Sequence, residues 1–463
     1  MEPSDPIREQ ARATPSYACA SARAFGRSIA AGLASLSLLA TAISLVVTAP
    51  QASAGVKTLY AYADGGAILP TSCPETSTTS AQCTLTEALS RAVFGSTVAL
   101  ATPGRSRRYV GNWAVSTQGT TSSAPLTIEP AQGVTRPTLD GNQGQSTGCR
   151  TKTCDGPVLN IGSKVHLDLV GVTIQNANNL SSGLGGAVEN IRGGTLSVSH
   201  STFLRNYASD DGGAIDNADI GGTGSLSVSH STFSGNYALN CDGGAIANAD
   251  IGGEGTVLVT TSTFSGNSAV NGNGGAIDSG DTRGKGSLIV LTSIFLGNVA
   301  ARAGAIDSAD NASGTLSVSA STFSGNRAND IYGAQGAQGG DAINTGSDST
   351  VWAAADIFNG PCHRAGGTWN DEGYNVGSNA TCLRGAKGDV GYGASRLGPL
   401  AYHGGPSQTM LPLKGNPAIG VIPYKTTVTL DHRFVRLCPT ADQRVAGNGP
   451  KRRCNAGAAQ SSA

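Results

Sequence analysis

The chain has 463 residues, of which 65 are glycine and 5% are aromatic. So much glycine excludes an ordinary compact α/β enzyme, and the lack of a three-residue glycine period excludes collagen. Lys plus Arg and Asp plus Glu both number 31, so no net charge attracts nucleic acid or an anionic membrane, and we predict no nucleic-acid partner. A repetitive β architecture is the class that remains.

Residues 1–54 have the features of a secretory signal peptide. Arg23 and Arg27 precede an apolar run at residues 29–47, and Ala-Ser-Ala at residues 52–54 fits a cleavage site. The alternative is a retained membrane anchor, because the run is near the minimum length for a bilayer span. The cleavage site favours export, so we predict a secreted, extracellular protein that contacts a membrane only during export.

A short amphipathic helix is predicted near the start of the mature chain. Thr84-Leu85-Thr86-Glu87 has the form of a capping box, and apolar residues follow Leu85 at helical spacing. An open stack of strands exposes a sheet edge at each end. We therefore expect this helix to cover the first coil of such a stack, with residues 55–125 forming the amino-terminal cap and first strands.

A block of about 30 residues repeats through the middle of the chain, which is typical of a solenoid. Each copy contains Gly-Gly-Ala-Ile, a Gly/Asp/Asn stretch, and a segment like Leu-Ser-Val-Ser-His-Ser-Thr-Phe-Ser-Gly-Asn. Its alternation of apolar and small polar residues is that of a strand, and the block carries no helical stripe. The pattern predicts an all-β, parallel β-helix of roughly ten coils with three strands per coil, over residues 126–350 and clearest over 185–328.

Two residue types recur at fixed places in the block and are predicted to stack as structural ladders. Buried Phe rings would form an internal column. Asn amides three residues later would donate to one neighbouring coil and accept from the other. The predicted ladders are Phe203, Phe233, Phe264, Phe295 and Phe323, and Asn206, Asn236, Asn267, Asn298 and Asn326.

Three parts of the chain resemble known families. Residues 83–88, Cys-Thr-Leu-Thr-Glu-Ala, resemble the Cys-Ser-Leu-Arg-Glu-Ala motif of the CSLREA domain. The Gly-Gly-Ala-Ile and Phe-x-x-Asn elements resemble the polymorphic outer-membrane protein repeat. The carboxyl end, with Leu-Gly-Pro-Leu at 397–400 and Asn-Pro-Ala-Ile at 416–419, is similar to the choice-of-anchor Q domain.

The resemblance implies an exported, right-handed parallel β-helix and no settled activity. Such proteins usually continue into a sorting or anchoring segment. No apolar segment or sortase-type motif follows Ala458, so we expect a protein that is released or held non-covalently.

Eight cysteines fall into close sequence pairs, which we predict to be local disulfides because the protein is exported. Of the other two, Cys19 lies in the predicted signal peptide and is removed with it, so Cys241 is left over in the mature chain and is predicted to be a small buried residue rather than a reactive thiol. Residues 351–463 would then form the terminal coils and a disulfide-stapled cap. The predicted pairs are Cys73 with Cys83, Cys149 with Cys154, Cys362 with Cys382, and Cys438 with Cys454.

One column of aspartates is a candidate calcium site, and no other cofactor is predicted. Carboxylates stacked about 4.8 Å apart repel one another, and a hard cation would relieve the repulsion. The alternative, which we favour, is that each Asp caps its own glycine-rich turn in full contact with solvent. The four candidates are Asp219, Asp250, Asp281 and Asp310.

A duplicated aromatic pair is a candidate ligand face. His200 and His230 are equivalent in adjacent blocks, as are Tyr207 and Tyr237, and such rings can stack on a sugar or a partner protein. The alternative is recent duplication of one block, because the next block carries neither residue type.

No catalytic residues are predicted. A carbohydrate-active enzyme needs carboxylates that converge on one groove, whereas Asp216, Asp278 and Asp307 form a column that Ala247 interrupts, with no basic residue in register. The favoured function is a secreted or wall-associated structural and interaction protein that binds glycans or surface components. A β-helix polysaccharide lyase or glycoside hydrolase is the alternative, by analogy of fold.

Overall fold

The computed structural model is built almost entirely of short parallel strands. It describes residues 57–63, 73, 83–101, 108–116, 124–144, 155–281, 283–308, 313–329, 340–394, 396–438, 441–444 and 453–460. The predicted signal peptide, Asp310, Cys149 and Cys154 lie outside these residues. Within them, no helix is both long and apolar enough to cross a bilayer.

Four parallel sheets run side by side along the molecule. The six coils from His166 to Thr345 each contribute one strand to each sheet in the order 1, 2, 3, 4, whereas the described parts of the coils before and after them have no strand in sheet 3. This confirms the predicted parallel β-helix. Sheet 1 has the strands Thr58–Tyr62, Thr97–Ala101, Leu126–Pro130, His166–Val170, Gly194–Ser199, Thr223–Ser229, Glu254–Thr260, Lys285–Leu291, Ser313–Ser319, Asp348–Ala354 and Thr368–Gly373. Sheet 2 has the strands Arg108–Val110, Thr138–Asp140, Thr173–Gln175, Thr202–Leu204, Thr232–Ser234, Thr263–Ser265, Ile294–Leu296, Thr322–Ser324, Ile357–Asn359 and Val376–Gly377.

The other two sheets complete each coil. Sheet 3 has the strands Asn178–Asn179, Tyr207–Ala208, Tyr237–Ala238, Ser268–Asn273, Val299–Arg302 and Arg327–Ala328. Sheet 4 has the strands Trp113–Val115, Leu159–Ile161, Val188–Asn190, Ile215–Asn217, Ile246–Asn248, Ile277–Ser279, Ile306–Ser308, Ile343–Thr345 and Cys362–Arg364. The prediction of three strands per coil was wrong, because the residues after each corner Asn pair with the next coil as a fourth, very short strand.

The predicted ladders fill the interior of the coils. The Phe rings are fully buried and stack in parallel, with centroids 4.6 Å apart for Phe203 and Phe233 and 5.0 Å apart for Phe264 and Phe295. Phe358 extends the column by one coil. Each corner Asn from Asn206 to Asn298 donates from Nδ2 to Oδ1 of the Asn in the next coil, as Asn236 does to Asn267 at 2.9 Å. Both predicted ladders are therefore present.

The predicted helix covers the amino-terminal end of the stack. It spans Leu85–Arg91, and the Thr84 side chain accepts from the Glu87 N–H while the Glu87 carboxylate accepts from the Thr84 N–H, which is a full capping box. Leu85, Ala88 and Leu89 are buried against the first strands.

The described part of the carboxyl-terminal region, residues 396–460, packs along the outside of sheet 2, and we name it the carboxyl-terminal strap. It contains two small antiparallel pairs, Ile422–Pro423 with Arg453–Cys454 and Thr427–Leu430 with Arg433–Arg436. The strap buries the outward side chains of Thr263, Ile294 and Thr322.

Three of the predicted disulfides are present: Cys73 with Cys83, Cys362 with Cys382, and Cys438 with Cys454. Cys241 is buried, as predicted. The prediction that it is unpaired was wrong, because it is disulfide-bonded. The other described cysteines bond to one another, so its partner lies outside the described residues.

Candidate functional site

The outer face of sheet 1 carries a long polar groove of about 800 Å³. Its floor is a line of hydroxyl side chains, one from each of six successive coils, which we name the hydroxyl column. Register places them directly beside one another across the parallel strands. The hydroxyl column consists of Thr195, Ser225, Thr256, Ser287, Thr315 and Thr350.

The backbone at the groove is held from inside by a second polar ladder. Asn190 donates from Nδ2 to Oδ1 of Asn217 at 2.7 Å, and Asn217 donates to Asn248 at 2.8 Å. The three sheet 1 strands beside this ladder pass it with Gly194, Gly224 and Gly255, because a Cβ at Gly255 would lie 2.1 Å from Asn248 Oδ1. The next residue then points outward and supplies the hydroxyl.

The groove carries little net charge. Along its edge the Lys285 ammonium donates to the Glu254 carboxylate at 2.7 Å. This contact lowers the pKa of Glu254 and raises the pKa of Lys285. Within the hydroxyl column Thr256 donates to Ser225 and Thr315 donates to Ser287, both at 3.2 Å. The surface therefore offers one paired set of charges, the exposed carboxylate of Asp348 and hydroxyls that both donate and accept.

The hydroxyl column is about 24 Å long, since it spans five steps of about 4.8 Å between adjacent strands. At its carboxyl-terminal end the hairpin Thr427–Leu430 with Arg433–Arg436 lies against the last two strands of sheet 1. Val428 packs in the same apolar cluster as Trp352, which places an aromatic side chain of the same sheet beside this end. The groove is thus open along its length and bounded at one end.

The duplicated His and Tyr rings form two separate stacks, and their role as a ligand face stays a prediction. The rings of His200 and His230 lie 4.9 Å apart, and those of Tyr207 and Tyr237 lie 5.7 Å apart. The strand Thr202–Leu204 of sheet 2 lies between the two stacks along the coil. The structure therefore does not place these rings in the groove of sheet 1.

Burial shifts the pKa of one residue in each stack. Burial, together with the neighbouring His200, lowers the pKa of His230. Burial, then the nearby Tyr237 and Asp210, raises the pKa of Tyr207 to about 12. The tyrosine hydroxyl therefore stays protonated at neutral pH.

Three members of the predicted calcium column are described, Asp219, Asp250 and Asp281, and they follow strands of sheet 4 in successive coils. Asp219 and Asp250 are buried, whereas Asp281 is partly exposed. Asp219 accepts from the Ile220 N–H at 2.6 Å and Asp250 accepts from the Ile251 N–H at 2.7 Å. The Asp219 and Asp250 carboxylates therefore contact their own turns, as in the alternative that we favoured, but they do so away from solvent.

The aspartates considered for catalysis are enclosed. Asp216, Asp278 and Asp307 lie on sheet 4 and are each at most 1% exposed. They face away from the groove of sheet 1, so they do not line a surface that a polymer could reach.

Comparison with known proteins finds one family. Residues 261–280 match the Chlamydia polymorphic membrane protein (Chlamydia_PMP) repeat. This stretch contains Phe264, Asn267 and the Gly-Gly-Ala-Ile of residues 274–277, which form the Phe column, the corner ladder and the entry to sheet 4. No curated protein matches the chain.

The resemblance to the repeat family is supported over one block, and the resemblances at the two ends of the chain stay predictions. The disulfides are typical of an oxidising compartment. Together, the repeat match and the stack of parallel sheets fit a surface-exposed β-helix protein.

Proposed function

We propose that the protein is a secreted or cell-surface β-helix that binds an extended, uncharged glycan along the groove of sheet 1. The hydroxyl column is the observation that carries this proposal. It places equivalent hydroxyls at a regular spacing over six coils, and a polymer of repeating sugars presents its own hydroxyls with a regular spacing.

The chemistry of the groove favours a neutral ligand. Ser and Thr hydroxyls both donate and accept, as sugar hydroxyls do. Glu254 and Lys285 are already paired with each other, and the other charged side chain of the groove, Asp348, is acidic, so an anionic polymer would gain little. Trp352, at the end of the column, could supply the apolar face on which sugar rings pack.

Glycan-array binding of the mature chain tests this proposal. The wild type is compared with a triple variant, Ser225→Ala, Thr256→Ala and Ser287→Ala, which removes three central hydroxyls of the column. Each lost hydrogen bond is worth about 0.5–1.5 kcal/mol, so we expect binding to weaken by about tenfold or more. Binding of the wild type should change little between low and high salt.

The matched control is Ser234→Ala with Ser265→Ala, which removes a hydroxyl pair of the same kind, 3.1 Å apart, on sheet 2. It should bind as the wild type does. Equal binding by the triple variant and the control would overturn the proposal. Release of reducing or unsaturated ends from a bound polysaccharide would instead support the enzyme alternative.

A further inference from the structure

The outer face of sheet 1 carries apolar side chains next to the hydroxyl column. Register pairs Leu258 with Ile289 in the next coil, and each lies two residues after a hydroxyl of the column. Leu258 is 38% exposed, and Ile289 is partly exposed between two fully buried residues of its strand. Because side chains alternate along a strand, both of these point outward, on the same side of the sheet as the hydroxyls.

The same row of side chains continues to Trp352. Register places Ser317 beside Ile289 and Trp352 beside Ser317. Ser317 is 3% exposed, and its buried hydroxyl makes no hydrogen bond to a described residue, so it presents no polar group at the surface. Trp352 is partly exposed between buried neighbours of its strand. We name Leu258, Ile289 and Trp352 the apolar stripe, which is about 14 Å long because it spans three steps of about 4.8 Å.

The opposite side of the hydroxyl column is charged. Glu254, Lys285 and Asp348 are exposed, and each precedes a hydroxyl of the column by two residues. The outer face of sheet 1 is therefore graded across the strands, from charged groups through hydroxyls to apolar side chains. A ligand that combines hydroxyls with an apolar surface finds a place for that surface on one side of the hydroxyl column only, which fixes how it lies.

We infer that sugar rings pack their faces on the apolar stripe, and that the protein therefore selects an extended, β-1,4-linked glycan whose ring substituents are all equatorial. This inference rests on the proposed function, since the same ligand occupies the hydroxyl column. In such a ring the hydroxyls lie around the edge and both faces carry only C–H groups. An axial hydroxyl instead puts a polar group on one face, and the stripe buries it without a hydrogen-bond partner.

The spacing of the two columns suits one sugar ring. Two residues along a strand separate the apolar stripe from the hydroxyl column by about 6.6 Å. A ring centred over the stripe covers that distance with one edge hydroxyl and a hydrogen bond of about 2.8 Å. Equatorial linkages keep the glycan straight, as the column is, so successive rings meet the same two rows of side chains. Aliphatic and aromatic side chains both gain dispersion contacts with the C–H groups of a ring face.

Calorimetric titration of the mature chain with three β-1,4-linked hexasaccharides tests the inference. The hexamers differ only at carbon 2, which carries an equatorial hydroxyl in glucose, an equatorial acetamido group in N-acetylglucosamine and an axial hydroxyl in mannose. We expect at least one of the two equatorial hexamers to bind about tenfold more tightly than the mannose hexamer, because a buried polar group without a partner is costly. Leu258→Ser with Ile289→Ser should weaken binding of that hexamer by about tenfold or more and remove most of the preference, since two apolar contacts are lost.

The matched control is Leu180→Ser with Ile220→Ser, which removes an exposed Leu and an exposed Ile outside sheet 1 and should bind as the wild type does. If the hydroxyl triple variant lost binding but Leu258→Ser with Ile289→Ser kept it, this inference would be wrong and the proposed function would stand. No binding of any glycan would overturn both. A wild-type dimer that Leu258→Ser with Ile289→Ser dissociates would assign the apolar stripe to a second copy of the chain and would also overturn the inference.

Discussion

A single residue, Asp356, stands where most coils carry serine. At the corner between sheets 1 and 2, the Ser231 N–H donates to Ser262 Oγ in the next coil at 3.1 Å, and the same contact recurs from coil to coil. At the end of this ladder the Ser321 N–H donates to Asp356 Oδ1 at 2.7 Å, and the Asp356 N–H donates to Asn375 Oδ1 at 2.9 Å. Asp356 is fully buried, and its Oδ2 accepts no hydrogen bond.

Asp356 should make the stability of the protein depend on pH. Burial raises the pKa of Asp356 well above its usual range, against the lowering effect of the Ser321 and Ala354 N–H groups. The folded state therefore holds this proton more tightly than the unfolded state does, whose pKa is about 3.9. The stabilisation that comes from protonated Asp356 is therefore complete below the pKa of the unfolded state. It is lost as pH rises through the raised pKa of the folded state.

We expect Asp356→Asn to increase the free energy of unfolding at neutral pH and to flatten its fall between mildly acidic and neutral pH. Denaturant titrations of the two proteins at both pH values measure this. The converse variant, Asn375→Asp, should lose more stability at neutral pH than at acidic pH. If the free energy of unfolding depended on pH in the same way in the wild type and in Asp356→Asn, Asp356 would not be the cause of the pH dependence.

At the scale of the element, the Phe column of sheet 2 is the clearest case in which sequence determines structure. Five rings separated by 28 to 31 residues in sequence stack with centroids 4.6 to 5.0 Å apart. Each ring thus packs on the ring of the coil before and the coil after, so one truncation removes contacts in three coils.

Phe264→Ala is expected to cost about 3–5 kcal/mol of stability through the cavity that it leaves. Denaturant titration measures the loss. Leu258→Ala, in the same coil but 38% exposed on the outside of sheet 1, should change stability by less than about 1 kcal/mol. A loss below about 1 kcal/mol for Phe264→Ala would show that the column is not tightly packed.

How far each element could be predicted depends on how regularly it repeats. The Phe and corner Asn residues recur in every block, so their ladders could be read from spacing. The ladder of Asn190, Asn217 and Asn248 was missed because the next coil replaces Asn with Ser279. Sheet 3 was missed because strands such as Tyr207–Ala208 are too short to show alternation.

The candidate sites were predictable only in part. Asp250 was singled out from its column, but its spatial neighbours Asp211 and Asp242 lie before the Gly-Gly pair and show no regular column, since Asn273 follows them. The hydroxyl column does recur in sequence, yet small polar residues alternate along many strands here. Only the three-dimensional register shows which of these hydroxyls share one open face.

At the scale of the whole molecule, the strap ties distant parts of the chain together. Gln443 Nε2 donates to Thr263 Oγ1 at 2.8 Å and to the Ser262 carbonyl at 3.2 Å. Further along the strap, the Ala458 N–H donates to Thr322 Oγ1 at 3.1 Å. The outer face of sheet 2 around Thr263, Ile294 and Thr322 is therefore part of the interior, which no local sequence pattern could indicate.

Gln443→Ala should loosen the strap without unstacking the coils. It leaves buried acceptors on Ser262 and Thr263 without this donor, which costs about 1–3 kcal/mol. Hydrogen exchange should become faster at the Ala458 amide and stay slow at the amides of the Phe column. Ser225→Ala, which removes an exposed hydroxyl on sheet 1, serves as the control, and unchanged exchange at Ala458 in Gln443→Ala would contradict this role.

The strap also determines when folding of the molecule is complete. Ser262 and Gln443 are 181 residues apart in sequence, and a chain made from its amino end folds its early parts first. The coils can therefore fold progressively as they are synthesised. The outer face of sheet 2 around Thr263 stays exposed to solvent until the strap has been synthesised and packs on it. A nascent chain that ends before the strap would form most of the coils but leave this face of sheet 2 exposed, and we expect it to aggregate and to be cleaved by proteases there.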